Sequence, residues 1–365
     1  MQGSFYRSLT RRRALAALGV AGIGFSLSSC GKSEQAPASA TGEEKKLNFF
    51  TWADYIGETT LDDFKAATGI EVKMDLFATN DDLFAKMRAG NPGYDVIVPS
   101  NEFVTRMIEA KMLMEIDQKK IPNLVNIGPE WRDISYDPGQ AHSVPYTWLV
   151  IGIGYRKSKV QNIPDSWKYV FDSDEYAGRI AMLSEAADVF RLGFKYLGKS
   201  VNDFSPELLK QVEDMLIKQK KNIKVFHDDN GQDLLVSGEV DLVVEYNGDI
   251  AQRMQEDQDI DFVVPKEGSL LNTDNLCIPV GAPHPENAHA FINFILDAEN
   301  DKKITETIQY PTPNLAAKAL MDDAYKNSPA VYPSPEVLSR CEYGRFTGAE
   351  IAQAFEAAMT RVRAA

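Results

Sequence analysis

Cysteine is scarce in this chain. Only Cys30, Cys277 and Cys341 occur, and none has a second cysteine or a histidine at zinc-ligand spacing, which argues against a structural zinc site. Histidine is nearly as rare. His142, His227, His284 and His289 form no HExxH pair, and the chain also lacks a GxSxG elbow, a phosphate-loop lysine signature and EF-hand spacing. Basic residues are outnumbered as well: 39 Lys and Arg face 53 Asp and Glu, a net charge of −14 that repels phosphate backbones and anionic lipid. Nucleic acid is thereby set aside as a partner. With 44% hydrophobic and 25% charged residues the composition is that of a water-folding protein, and 365 residues fit two domains at roughly 100–200 each.

Acidic residues are missing before Glu34, where Arg7 and the Arg11-Arg12-Arg13 cluster lead into the apolar run Leu15 to Phe25. A basic segment followed by a short, Gly-rich apolar one reads as an export signal, residues 1–29, too short to span a bilayer comfortably. The glycines from Gly19 to Gly24, the only cluster reminiscent of a nucleotide loop, belong to it. Thr10 to Leu15 resembles a twin-arginine signal, with an ordinary secretory signal as the alternative. Leu27-Ser28-Ser29-Cys30 resembles a bacterial lipoprotein box, in which Cys30 carries the lipid. Cleavage there removes four arginines and no acid, so the exported form is more acidic still. Residues 30–45 lack apolar periodicity and read as a flexible tether of roughly 20–25 Å. In an oxidising compartment Cys277 and Cys341 could pair, but their separation decides nothing.

The mature chain alternates strand and helix patterns. Leu47 to Trp52, Glu71 to Phe77 and Tyr94 to Pro99 read as strands, with helices from Glu58 to Thr68 and Asp81 to Ala89 between them. That is βαβαβ, hence a parallel sheet with helical covers. Arg179 to Leu183, Ile223 to Phe226, Val240 to Tyr246 and Ile260 to Pro265 repeat the style, with a helix opening at Ser205-Pro206-Glu207. Two α/β domains are expected. The extended stretches Ser143 to Arg156 and Leu270 to Val280 are the candidate crossings between them.

No catalytic constellation emerges. The acidic pairs Asp62-Asp63, Asp81-Asp82 and Asp228-Asp229 read as solvated helix starts and loops. What remains are aromatic and acidic residues at strand ends, where open α/β sheets bind ligands. Trp52, Ala53 and Tyr55 follow the first strand, Ser100 and Glu102 the third. Glu185, Asp188, Tyr246, Asp249, Asn272 and Asp274 follow later ones. Carboxylates can answer ammonium groups, while methylene stems gain from lying between aromatic rings, so the set suits an aliphatic polycation better than a metal ion.

Five stretches carry a resemblance: Phe50 to Ile56, Thr68-Gly69-Ile70, Tyr94 to Ser100, Pro265 to Gly268 and Glu306 to Asn314. With them the chain, over nearly all of residues 46–365, resembles the spermidine/putrescine-binding proteins of polyamine ABC importers. The resemblance implies a two-lobed α/β solute-binding fold, with residues 46–150 and 273–318 in one lobe and 154–270 and 322–365 in the other. It implies an aromatic clamp of Trp52, Tyr55, Tyr246 and Tyr310, carboxylates at Glu185, Asp188, Asp249 and Asp274, and a polar contact at Ser100. Four cleft positions depart from the family pattern. Ala53 stands where a hydroxyl is usual, Glu102 where an aromatic or apolar residue is common, Tyr246 in place of Trp, and Asn272 in place of an aromatic; Gly344 also replaces a polar residue.

The expectation is a monomeric, lipid-anchored periplasmic receptor, with no enzyme activity, cofactor or metal. It would capture spermidine, or next putrescine, by hinge closure and deliver it to a permease and its ATPase. A carboxylate-based periplasmic hydrolase and a polyamine sensor without transport are the alternatives.

Overall fold

A computed structural model describes residues 42–365 apart from Asp133 and Asp229. The expected export signal, Cys30, the tether as far as residue 41, and Asp229 of the Asp228-Asp229 pair lie outside the described residues. The last tether residues are not free. Glu43 accepts hydrogen bonds from the backbone N–H groups of Glu286 and Asn287 at 3.1 Å each, capping a helix, so the folded body starts slightly earlier than Lys46.

The first half runs β1 (Lys46–Thr51), α1 (Thr60–Thr68), β2 (Glu71–Leu76), α2 (Asn80–Arg88), β3 (Val96–Ile97) and α3 (Asn101–Glu109). As the pattern predicts, β1 pairs parallel with both β2 and β3. Gly69 ends α1 with φ 74°, a left-handed value that suits glycine. β3 is shorter than expected because the Asp95 carboxylate turns back to accept from the Asn48 and His284 backbone N–H groups, and Pro99 has no N–H to give a ladder.

β4 (Ser143–Arg156) then crosses the molecule, and the second half follows. It comprises α4 (Lys168–Phe171), β5 (Ile180–Leu183), α5 (Ala186–Tyr196), α6 (Pro206–Gln219), β6 (Ile223–His227), α7 (Gly231–Val236), β7 (Leu242–Tyr246), α8 (Asn247–Glu256) and β8 (Ile260–Val263). Ser205 caps α6 by accepting from the Leu208 N–H at 3.1 Å, and Pro206 sits at its first position, as the sequence predicts. β9 (Leu270–Cys277) returns to the first half, followed by α9 (Pro285–Ile295) and α10 (Ala298–Ile308). Late in the chain β10 (Glu342–Tyr343) pairs with β9, and a helix over Ala349–Ala364 ends it on the second half.

Strand order is β2-β1-β3-β9-β4-β7-β5-β6, with β8 beside β4. The two halves have separate cores. Phe49, Phe64, Val96 and Phe291 fill one; Trp167, Phe190, Phe194 and Phe355 fill the other. The fourteen residues of β4 serve both: Ser143 to Val150 pair antiparallel with β9, and Ile151 to Tyr155 with β7. At the handover the Val150 N–H donates to Asn247 Oδ1 at 3.0 Å, and the Ser269 hydroxyl donates to the Ile151 carbonyl at 2.5 Å. Cys277 is buried and Cys341 half-buried, and both are free thiols.

Candidate functional site

Trp52, Ala53, Tyr55, Ser100, Tyr246, Asp249, Asn272, Asp274 and Tyr310 converge on one slit between the two halves of the sheet. All but Tyr310, which follows α10, stand where a strand gives way to a loop or helix, or on β9 itself. The slit has only about 20 Å³ open within it, room for about one water, so its walls nearly touch. Leu149 completes it.

Asp274 is held at both of its oxygens. Ser100 donates to Oδ1 at 2.6 Å and the Tyr55 hydroxyl to Oδ2 at 2.8 Å, and the Tyr55 oxygen also hydrogen bonds with the Thr147 hydroxyl. Thr147 and Leu149 were missed in the sequence. Their signal was there: on β4 they sit opposite Asp274 and Asn272 of β9, and alternation along paired strands puts all four on one face. Burial pushes Asp274 up to about 6, although its two hydroxyl donors pull the other way.

Asp249 lies in the first turn of α8, where the helix N-terminus favours an anion. Burial raises it to about 7, the Tyr310 hydroxyl lowers it, and Asp54 and Arg253 act in opposite senses. Neither Asp274 nor Asp249 has a Lys or Arg ion pair among the described residues. Asp188, in the first turn of α5, receives a hydrogen bond from the Tyr246 hydroxyl at 3.1 Å; burial raises it to about 7 while Arg191 lowers it. The hydroxyls of Tyr55, Tyr246 and Tyr310 are pushed well above their ordinary range, first by burial and then by the adjoining carboxylates. They stay protonated and act as donors.

The aromatic walls are packed, not loose. Tyr55 meets Tyr310 edge-on at 5.0 Å and 84°, and Trp52 leans on Phe77 at 4.4 Å while its indole N–H donates to the Val98 carbonyl at 3.0 Å. Gly248 was not singled out either, yet a Cβ there would stand 2.1 Å from the Tyr310 ring. Only a residue without a side chain lets α8 approach that closely.

Three predicted carboxylates do not line the slit: Glu102, Glu185 and Asp188, the last reaching it only through its bond to the Tyr246 hydroxyl. Glu102 is ion-paired with Arg191 and faces a separate cavity of about 890 Å³, which Thr273 lines from the opposite face of β9. The local sequence hid this because Arg191 is distant along the chain. Glu185 is half-buried just before α5, and burial first and then Asp188 raise it, so it holds its proton more tightly than an ordinary glutamate. Gly344 lies beside Arg191. No group of three or more metal-ligating side chains clusters among the described residues.

The slit lies in the crevice between two halves of an α/β protein and brings buried carboxylates, hydroxyl donors and aromatic rings together. The model of the bacterial extracellular solute-binding proteins matches residues 59–333. The chain belongs to that family. Within this family of solute-binding proteins, 338 residues are 34% identical to a putrescine-binding periplasmic protein of Pseudomonas aeruginosa, covering 87% of this chain and 91% of that one. Identity is 33% over 319 residues to a spermidine/putrescine-binding periplasmic protein of Haemophilus influenzae, covering 86% and 87% of the two. The solved substrate-binding protein of a spermidine/putrescine ABC transporter from Streptococcus pneumoniae superposes with a TM-score of 0.75 at 32% identity, over 87% of this chain and 98% of that one. The two-lobed fold expected of a solute-binding protein is therefore the observed one, and the motifs Phe50 to Ile56 and Glu306 to Asn314 pointed to the right relatives.

Proposed function

We propose that this protein captures a polyamine outside the cytoplasm and delivers it to the permease and ATPase of an ABC importer. The observation that carries the reading is the pair of buried carboxylates, Asp274 and Asp249, held by hydroxyl donors and set among aromatic rings with no ion-pair partner among the described residues. Burying unpaired charge is costly, and an ammonium group removes that cost at each carboxylate. The methylene stem then lies against Trp52, Tyr246 and Tyr310.

The walls come from different lobes: Trp52, Tyr55, Ser100 and Asp274 from residues 46–150 and 273–318, Tyr246 and Asp249 from residues 154–270. The ligand enters with the lobes apart and binds as they close, the β4 and β9 crossings serving as the hinge. Asp54 and Arg253, 3.2 Å apart across the cleft, latch the closed form. The protein acts as a monomer and holds to the membrane through lipid on Cys30 after twin-arginine export. Binding, not hydrolysis, is its activity; a carboxylate hydrolase would consume the ligand.

A calorimetric and thermal-shift panel of diamines, polyamines, amino acids and sugars tests this. A ligand at 100 times its dissociation constant adds about 2.7 kcal/mol of stability. Amines alone should give it and be recovered unchanged; a panel in which no amine binds overturns the reading. Small-angle scattering should show a smaller radius of gyration with the amine than without.

A further inference from the structure

We propose that Asn101 and Asn247 are a matched pair of positioning residues, each pinning one crossing strand to the start of a helix, so that the lobes turn about the slit residues Leu149 and Asn272. This rests on the polyamine and closure readings above and names the residues that keep the site in register.

Two helices begin in the same way. α3 follows Ser100 and α8 follows Tyr246, both in extended backbone, and neither residue caps its helix with a side chain. The first helical residue of each is a buried asparagine, 2% exposed at Asn101 and 0% at Asn247. Asparagine is a weak helix former because its amide seeks backbone groups, and here it finds them outside the helix. Asn101 Oδ1 accepts from the Thr273 N–H of β9 at 3.0 Å, and its Nδ2 donates to the Gly344 carbonyl at 2.9 Å. Asn247 repeats this on β4, accepting from the Val150 N–H at 3.0 Å and donating to the Ala330 and Val331 carbonyls at 3.0 and 3.2 Å.

The residues just before each asparagine extend its grip. The Pro99 carbonyl accepts from the Asn275 N–H and Ser100 pairs with Asp274, so residues 99–101 run antiparallel to 275–273. Tyr246 likewise pairs with Ile151 before Asn247 meets Val150. Asn101, within residues 46–150, thus holds β9, and Asn247, within residues 154–270, holds β4. Along the β4–β9 ladder Thr273 faces Trp148 and Val150 faces Leu271, which leaves Leu149 opposite Asn272 between the two pins. Both of these line the slit. A turn of one lobe against the other is taken up at that pair, while Ser100 stays on Asp274 and the Tyr246 to Asp249 turn stays on β4.

Putrescine calorimetry on the exported chain tests this. Asn101→Ala and Asn247→Ala should each weaken binding at least about tenfold, the scale of leaving buried polar groups unpaired. Phe291→Leu and Val212→Ala, in the two lobe cores, should lower the melting temperature yet hold affinity within about twofold. Asn247→Asp gives a readout that lost stability alone does not move. Its carboxyl, when protonated, can donate to the Ala330 carbonyl and accept from Val150 as the amide does; ionised, it loses the donor. Burial favours the protonated form, so its affinity relative to wild type should lie within about threefold at pH 6 and fall at least about tenfold by pH 8. The site's own carboxylates cancel in that ratio. Should the alanine variants fail to fold, the pH profile of Asn247→Asp decides alone. Affinities that merely follow melting temperature across all the variants overturn the proposal, as does an Asn247→Asp ratio that stays at one throughout. Two results are distinct from these: wild type that binds no amine removes the polyamine reading, and wild type that binds without contracting in scattering removes the closure, each taking the pivot with it.

Discussion

The Ser100 hydroxyl donates to Asp274 Oδ1 at 2.6 Å, joining the residue that precedes α3 to the middle of β9. With Tyr55 on the other oxygen, the carboxylate is oriented before any ligand arrives. It pays no ordering cost on binding.

Asp274→Asn should therefore weaken amine binding by at least about tenfold, since truncating one side of a buried charge pair costs about 2–5 kcal/mol. Calorimetry reads this directly. An unchanged dissociation constant would remove Asp274 from the site.

Trp52 separates two roles. Trp52→Phe keeps a ring on Phe77 and loses only the bond to the Val98 carbonyl, so affinity should fall little. Trp52→Leu removes the ring face and should weaken binding several-fold, with a melting temperature close to that of Trp52→Phe. Equal affinities for the two variants would make Trp52 a packing residue.

Gly248→Ala should impair binding without touching a charge. Alanine is the better helix former, so α8 itself is not weakened, but its methyl group meets the Tyr310 ring 2.1 Å away. The lobes cannot close fully, and affinity should drop by at least about tenfold, the scale on which overpacking costs about 1–3 kcal/mol. Normal affinity would mean that Tyr310 and α8 need not meet.

The pH dependence has a definite sign. Asp274, Asp249 and Asp188 hold their protons more tightly folded, to about 6, 7 and 7, than an unfolded aspartate does, to about 3.9. The folded protein without ligand is thus favoured by these groups at low pH and loses that contribution as pH rises through 4 to 7. Asp301, raised to about 7 by burial, adds to the trend. His227, lowered by burial to about 4, opposes it, because a buried neutral ring is lost on acidification between 6.5 and 4. An amine needs the carboxylates ionised. The thermal shift it produces should therefore grow from pH 5 to pH 8, and binding near pH 6 should release protons, visible as a buffer-dependent calorimetric enthalpy. A shift that shrinks with rising pH would contradict the carboxylate site.

Much of this was legible in the residues because the signals were local. β4 runs from Ser143 to Arg156, the span that its long extended pattern indicated, and the parallel pairing of β1, β2 and β3 followed from their alternation with α1 and α2. Trp52, Tyr55 and Asp249 were recognisable as residues at strand ends, whereas Asn272 and Asp274, expected to follow a strand, lie within β9, whose pairing with β4 only the fold reveals. Glu102 was not legible, as its role is decided by an arginine on another helix, and no local pattern announces a partner so far along the chain. Gly248 escaped for the same reason: its meaning lies in the Tyr310 ring, which a helix-start glycine does not betray.

The handover within β4 has a mechanical meaning. At Val150 the strand's N–H is satisfied by the Asn247 side chain rather than by a neighbouring strand. That amide is buried and held in place, its Nδ2 donating to the Ala330 and Val331 carbonyls at 3.0 and 3.2 Å. One side chain thus knots the crossing strand, the start of α8 and residues 330–331 together. Under the proposed hinge closure the bend would have to be taken up on either side of Val150 and not at it, because flexing the strand there would load all three bonds at once.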